Sequence, residues 1–203
     1  MNKIITTFFL TMFFTVSAFA GAPSSKSNPK IEGYVDQLVA KVSTMLNDQT
    51  ISEEQKVKKS RQLMAENLDL EWMAKYSLGR HRKELDMPQL KDFTKIYSSY
   101  VIKSYSDLVR NYKGQKAVVK KVSMLDDAEY IVKTEVVQSG QPPIKVDYLV
   151  RDIGTSNGKK SSLKISDVIT EGVSMINSQQ AEFNSVISSG GINALMTQLK
   201  SKI

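Results

Sequence analysis

The stretch "DVITEGVSMI", Asp167 to Ile176, is where the apolar pattern of this 203-residue chain changes period. Upstream the apolar residues alternate, as on a strand; downstream they recur every three or four positions, as on a helix. The join carries Glu171, Gly172 and Ser174, a set that suits either a catalytic elbow or a turn. The elbow motif is missing: Gly172-Val173-Ser174-Met175-Ile176 has isoleucine where Gly-x-Ser-x-Gly needs its second glycine. Asp167 and Glu171, if extended, lie about 13 Å apart, beyond the roughly 5 to 9.5 Å of paired-carboxylate hydrolysis. A corner remains: Leu163, Ile165 and Ile169 form a strand face, Gly172 turns the chain, and Ser174 caps a helix folded back over the sheet.

Working upstream, "KAVVKKVSML", "AEYIVKTEVVQ", "IKVDYLVRDI" and "KSSLKISDVIT" are four runs of strand length, separated by turn-rich segments. Short connections predict antiparallel neighbours. Ile144, Val146, Tyr148 and Val150 alternate with Lys145, Asp147 and Arg151, so one face of the sheet wants a cover.

Before Gly114 the period is helical. Tyr34, Val35, Leu38, Val39, Val42 and Leu46 share a face; Ser52 to Gln55 is a capping box opening a second helix; a third runs from Leu70 to Leu78 and ends at Gly79. Asp86, Pro88 and Gln89 open the longest helix, which the pattern carries to Tyr112, roughly 37 Å at the α-helical rise. After the corner come a helix through Phe183 and Ile187, a break at Ser188 to Gly191, and a last short helix. Helices, a strand meander, then helices again predict an α+β fold with four strands.

The first 20 residues read as a signal peptide: Lys3, an uncharged apolar run from Ile4 to Phe19, and Ala18-Phe19-Ala20 before the cut. An uncleaved membrane anchor is the competing reading, since the run nearly reaches spanning length. Residues 21–33, rich in Pro, Ser and Gly, read as a flexible lead-in, and residues 34–203 as one domain. With no cysteine, neither a lipid-anchored lipoprotein nor a disulfide framework is possible. The net charge of +7 falls to +6 when Lys3 is lost. For an exported protein that balance suits anionic lipid, an acidic protein surface or simply a well-solvated exterior.

Chemistry has few candidates. His81, the single histidine, lies among Arg80, Arg82 and Lys83 and reads as a solvated helix-end residue, so a multi-histidine metal site is excluded. Asp126 and Asp127 suit a turn, and no glycine-rich phosphate cradle precedes a helix. These features argue against an enzyme and against a metal or cofactor.

The chain does resemble a known family. "LGRHRKEL", "DFTKIYSSYVIKSYSDLVRNYKGQ", "QPPIKVDYLVRD", "LKISDVITEGVSMI" and "QAEFNSVISSGGINALMTQL" are similar, in order, to blocks of the MlaC or toluene-tolerance family of periplasmic phospholipid carriers. The resemblance implies a curled sheet under helices around an apolar cavity for acyl chains. It also implies transport of phospholipid between outer and inner membranes, maintaining outer-membrane lipid asymmetry. The implied partners are an outer-membrane lipoprotein complex and an inner-membrane ABC transporter with an MCE-domain subunit, with the carrier as a periplasmic monomer. This chain departs from the family's pattern at His81, at Leu163 and at Gln179-Gln180, where an aromatic, a tryptophan and an arginine are common.

Under that resemblance the cavity-lining candidates are Trp72, Met73, Tyr97, Tyr100, Val101, Tyr148, Val150, Ile169, Val173, Met175, Ile176, Phe183 and Ile187. Plain core packing is the equal alternative for each. Arg80, Arg82, Lys83, Lys116 and Lys120 are candidates for the lipid head group or a docking surface. A non-catalytic periplasmic adaptor, its interior filled by its own side chains, is the competing function.

Overall fold

The computed structural model describes residues 28–154 and 162–203. The expected signal peptide, most of the lead-in and most of the loop after β3 lie outside the described residues. Helix α1 spans Pro29–Asn47, starting five residues before the apolar face that begins at Tyr34. Asn28 accepts a hydrogen bond from Lys30 N and Pro29 sits in the first turn, so "NPK" acts as a helix start and not as linker. Helix α2 (Glu53–Asn67) opens on a complete capping box between Ser52 and Gln55, and α3 covers Leu70–Ser77. A 3-10 turn, Gly79–Glu84, leads to α4 (Met87–Ser106), which opens on a second capping box between Asp86 and Gln89. Below Ser106 that helix tightens to a 3-10 turn, Asp107–Asn111, so the regular helix is shorter than its apolar stripe.

The strands follow as a meander: β1 (Lys116–Met124), β2 (Glu129–Val137), β3 (Ile144–Asp152), β4 (Leu163–Thr170) and the two-residue β5 (Val173–Ser174), all antiparallel in that order. The sheet therefore has five strands among the described residues, because the corner itself pairs. Thr170 faces Val173 across Glu171 (φ 50°) and Gly172 (φ 82°), two left-handed residues as a two-residue type I′ hairpin requires. Helix α5 then runs Met175–Lys200, interrupted at Gly191, whose φ of 75° and ψ of 175° mark the expected break.

One register detail corrects the sequence reading. Leu149 pairs with Asp167 but Val150 pairs with Ile165, leaving Ser166 as a bulge. The extra residue reverses side-chain alternation, so Leu163 and Ile165 share a face with Val168, while Ile169 points to the other side with Asp147.

The interior consists of two apolar clusters. The helical cluster packs Met73 and Leu78 with Phe93, Tyr97 and Val101 of α4 and Ile176, Phe183, Ile187, Leu195 and Leu199 of α5. The sheet cluster packs Val122, Tyr130, Val132, Val150 and Ile165 under Ile31 and Val35 of α1. Leu68 touches both clusters and is bridged to Ile165, with Asp69 N donating to Ile165 O at 2.8 Å. No helix among the described residues is long and apolar enough to cross a membrane.

Candidate functional site

At the corner, Asp167 is buried and its carboxylate does local work. Oδ1 accepts from Val168 N at 2.8 Å and Ile176 N at 3.0 Å, and Oδ2 accepts from the Ser174 hydroxyl at 2.6 Å. Ser174 Oγ accepts in turn from Asn177 N at 3.1 Å, the expected cap of α5. The carboxylate thus replaces the partners that a strand end and a helix start both lack. Glu171 ties the turn to β3, accepting from Lys145 N at 2.5 Å and donating its own amide to Lys145 O at 2.9 Å. Ser174 has no imidazole beside it: His81 bonds Glu84 and Asn184. The corner is architecture.

The thirteen expected lining residues divide among four environments. Met73, Tyr97, Val101, Ile176, Phe183 and Ile187 are buried in the helical cluster, with Trp72, Tyr100 and Met175 packed at its margin. Val150 is buried in the sheet cluster and Tyr148 packs against it. Ile169 is half-buried on the opposite face, displaced by the Ser166 bulge. Val173 is 60% exposed in the hairpin, outside both clusters, because β5 is an edge strand of two residues with no element over it.

Aromatic contacts close the helical cluster. Phe183 meets Phe93 and Tyr97 edge-on, at centroid distances of 6.4 and 6.2 Å. The Tyr97 hydroxyl donates to Gln179 Oε1 at 2.6 Å, and Gln179 Nε2 is buried with no acceptor among the described residues. Burial pushes the Tyr97 hydroxyl well above its ordinary range and that of Tyr105 up to about 12. In the sheet cluster burial likewise raises Tyr148, and Tyr34 to about 12.

The five basic candidates separate. Lys116 and Lys120 lie on β1, and Lys120 pairs with Glu135 at 3.0 Å. Arg80, Arg82 and Lys83 share the 3-10 turn, all exposed. His81, read from the sequence as solvated, is 7% exposed: its ring is held at 2.9 Å by Glu84 on Nδ1 and by Asn184 on Nε2. The partner that buries it stands 103 residues away on α5, beyond the reach of local pattern. Beside the turn lies a shallow cleft of about 280 Å³ lined by Gly79, Arg80, Asn177, Gln180, Ala181 and Asn184. Sequence reasoning missed the amides of this stripe, although 177, 180 and 184 fall on one helical face. It also missed Arg151, which lies 4.8 Å over the Trp72 ring and bonds Asp69 and Glu129. Among the described residues no group of acidic, histidine or cysteine side chains is placed to hold a metal ion.

The family model "MlaC protein" matches residues 33–201. The chain belongs to the MlaC family. A curated relative, "Intermembrane phospholipid transport system binding protein MlaC" of Haemophilus influenzae, is 24% identical over 135 residues, covering 66% of this chain. The match spans 61% of that relative's length. Among solved structures, a phospholipid-binding protein from Ralstonia solanacearum in complex with a phospholipid superposes with a TM-score of 0.67 at 22% identity. The superposition covers 86% of this chain and 94% of that one, so the two chains share this fold.

Proposed function

We propose that this protein is a non-catalytic periplasmic phospholipid carrier. It takes lipid between the outer and inner membranes, exchanging it with an outer-membrane lipoprotein complex and an inner-membrane ABC transporter bearing an MCE-domain subunit, and so maintains outer-membrane lipid asymmetry. Family membership supports the class of function, and the phospholipid in the Ralstonia relative supports the ligand.

The observation that carries the reading in this chain is the sheet cluster. One apolar sheet face, from Val122 through Val132 and Val150 to Ile165, is covered chiefly by a single helix, α1. Ile31 and Val35 are its two deeply buried anchors, with polar ties from Lys30 to Asp152 and from Tyr34 to Asn67. Five α1 side chains, Ile31, Tyr34, Val35, Leu38 and Val39, pack on that face; at about 1.5 to 3 kcal/mol each when fully buried they are comparable with roughly 11 kcal/mol for some fourteen methylenes of one acyl chain relative to water. A tail can therefore replace α1 on that face at little net cost. When the lipid has returned to a bilayer, α1 covers the face again and keeps the empty protein compatible with water. The acyl chains lie between the sheet and the helices, beside Tyr148 and Val150, with the helical cluster as the rigid wall.

A second reading, an adaptor without lipid, draws on the close packing of both clusters. Native mass spectrometry of mature protein purified without detergent, with organic extraction of any bound mass, separates the two. Co-purifying phospholipid is expected. An empty protein that also takes no lipid from vesicles overturns the carrier reading in favour of the adaptor.

A further inference from the structure

The 3-10 turn between α3 and α4 concentrates charge in an unusual way. Its acidic neighbours are engaged: Glu84 holds His81, and Asp86 caps α4 through Gln89 N. Its cations are not. Among the described residues Arg80, Arg82 and Lys83 make no hydrogen bond or ion pair. The turn is also held in place, with buried His81 bonded to Asn184 of α5 and Gln180 Nε2 donating to Tyr76 O at 2.7 Å.

The cleft beside it is lined by donors. The Asn177 carbonyl oxygen accepts from the Tyr76 hydroxyl at 3.1 Å, and the Asn184 carbonyl oxygen faces His81 Nε2 at 2.9 Å. Both side-chain NH2 groups are left without acceptors among the described residues. With the Arg80 guanidinium they give a small concave surface of one positive charge and several N–H donors. Its floor needs glycine: Gly79 has a φ of 53°, and a Cβ there would stand 3.2 Å from the Gln180 side chain. Two exposed nonpolar side chains flank the turn in sequence, Tyr76 at 38% and Met87 at 77%.

Size and packing define the occupant. At about 280 Å³ the cleft is at the small end of ligand sites and fits a phosphate with its glycerol, not a whole lipid. Its sequence neighbours Ser77, Leu78, His81 and Phe183 are buried and none of them lines the cleft. The anion must come from outside, still part of a surface. We propose that the Gly79–Glu84 turn is the face on which this protein docks to an anionic phospholipid membrane. A head-group phosphate of an intact bilayer sits on Arg80, Asn177 and Asn184, with Arg82 and Lys83 at the rim. The inference rests on the carrier reading only for the need to meet a membrane, and it assigns that contact to the lipid surface itself.

Flotation of the mature protein with vesicles tests it. Vesicles of phosphatidylethanolamine with a minority of phosphatidylglycerol should carry the protein at low salt and lose it at high salt, while phosphatidylcholine vesicles should not carry it. Each cation removed should weaken binding about fivefold, in Arg80→Gln and in the pair Arg82→Gln, Lys83→Gln. In addition, sn-glycerol 3-phosphate should shift the side-chain amide resonances of Asn177 and Asn184 in the wild type and not in Arg80→Gln. Equal binding to both vesicle types, unchanged binding by the variants, or no flotation at low salt would each overturn the proposal, the last pointing to an acidic protein surface instead. Extracted lipid from the same preparations keeps the two readings apart. Lipid-loaded protein that ignores vesicles defeats the docking face alone, and lipid-free protein that floats but takes no lipid from the vesicles defeats the carrier alone.

Discussion

The two apolar clusters of this protein differ in what encloses them. The helical cluster is closed from several directions by α3, α4 and both halves of α5, with the Phe183 ring meeting Phe93 and Tyr97 edge-on at its centre. The sheet cluster has a broad β face on one side and, on the other, chiefly one helix anchored near its first turn. A cluster enclosed on all sides can change only by unfolding, whereas one covered by a single helix can open while the rest stays folded. Under the proposed carrier function the difference gives stability to one region and ligand exchange to the other, and each assignment can be broken separately.

The largest expected effect is on lipid occupancy. Val132, fully buried at the centre of the sheet face, and Val173, exposed in the hairpin, both lie in β structure. Val132→Trp should overpack that face at a cost of about 1 to 3 kcal/mol and abolish co-purified lipid in native mass spectra, with the circular dichroism of the fold retained. Val173→Trp should leave lipid content unchanged. Equal occupancy in the two variants would place the ligand elsewhere.

Next in size is the helical cluster. Phe183→Ala removes the ring shared by Phe93 and Tyr97 and should cost about 3 to 5 kcal/mol in urea unfolding. For a domain of this size that lowers Tm by roughly 10 °C. If stability falls by less than 1 kcal/mol, that cluster is not the permanent one.

High pH should separate the regions further. A tyrosine whose folded pKa is raised is protonated in the folded state at pH values where the unfolded chain has already ionised. Its contribution is therefore complete below the ordinary value near 10 and is lost as pH rises through the folded value. For Tyr34 of α1 and Tyr105 of α4 that window closes at about 12, and for Tyr97 it extends higher. Tyrosinate absorbance, read with circular dichroism, should show Tyr34 ionising as α1 detaches, before the tyrosines of the helical cluster. Comparison with Tyr34→Phe identifies its step. A single transition shared by all tyrosines would mean that α1 and the helical core open together.

How much of this was legible in the sequence follows from the distance over which each feature is determined. The capping boxes at Ser52 and Asp86, the Ser174 cap and the break at Gly191 depend on neighbours within a few residues, and each stands where the pattern places it. Pro29 was legible too, but a proline in a Ser-rich stretch reads equally as linker. The Ser166 bulge was not legible, because alternation assumes unbroken register, and one extra residue moved Ile169 to the other face. His81 is buried by Asn184, and the split of the lining candidates into two clusters is set by packing across the chain. The basic turn could be read as a local run of charge, but the amide cleft beside it needed α5 to be brought against α3.

The smallest effect expected tests whether the corner takes part in opening at all. Gly172 sits at φ 82°, and a Cβ built there meets nothing within 4 Å. Substitution therefore carries no steric penalty from neighbours, only the torsional cost of a left-handed alanine, about 1 to 2 kcal/mol. Asp167 holds both sides of the corner independently of the turn, through Val168 N, Ile176 N and the Ser174 hydroxyl. The corner should thus keep its shape in Gly172→Ala, stability should fall by that torsional amount, and lipid uptake from vesicles should proceed at the wild-type rate. If uptake slows while stability falls by no more, the hairpin moves during exchange, and the boundary between the fixed and the opening region lies at β4 and not at α1.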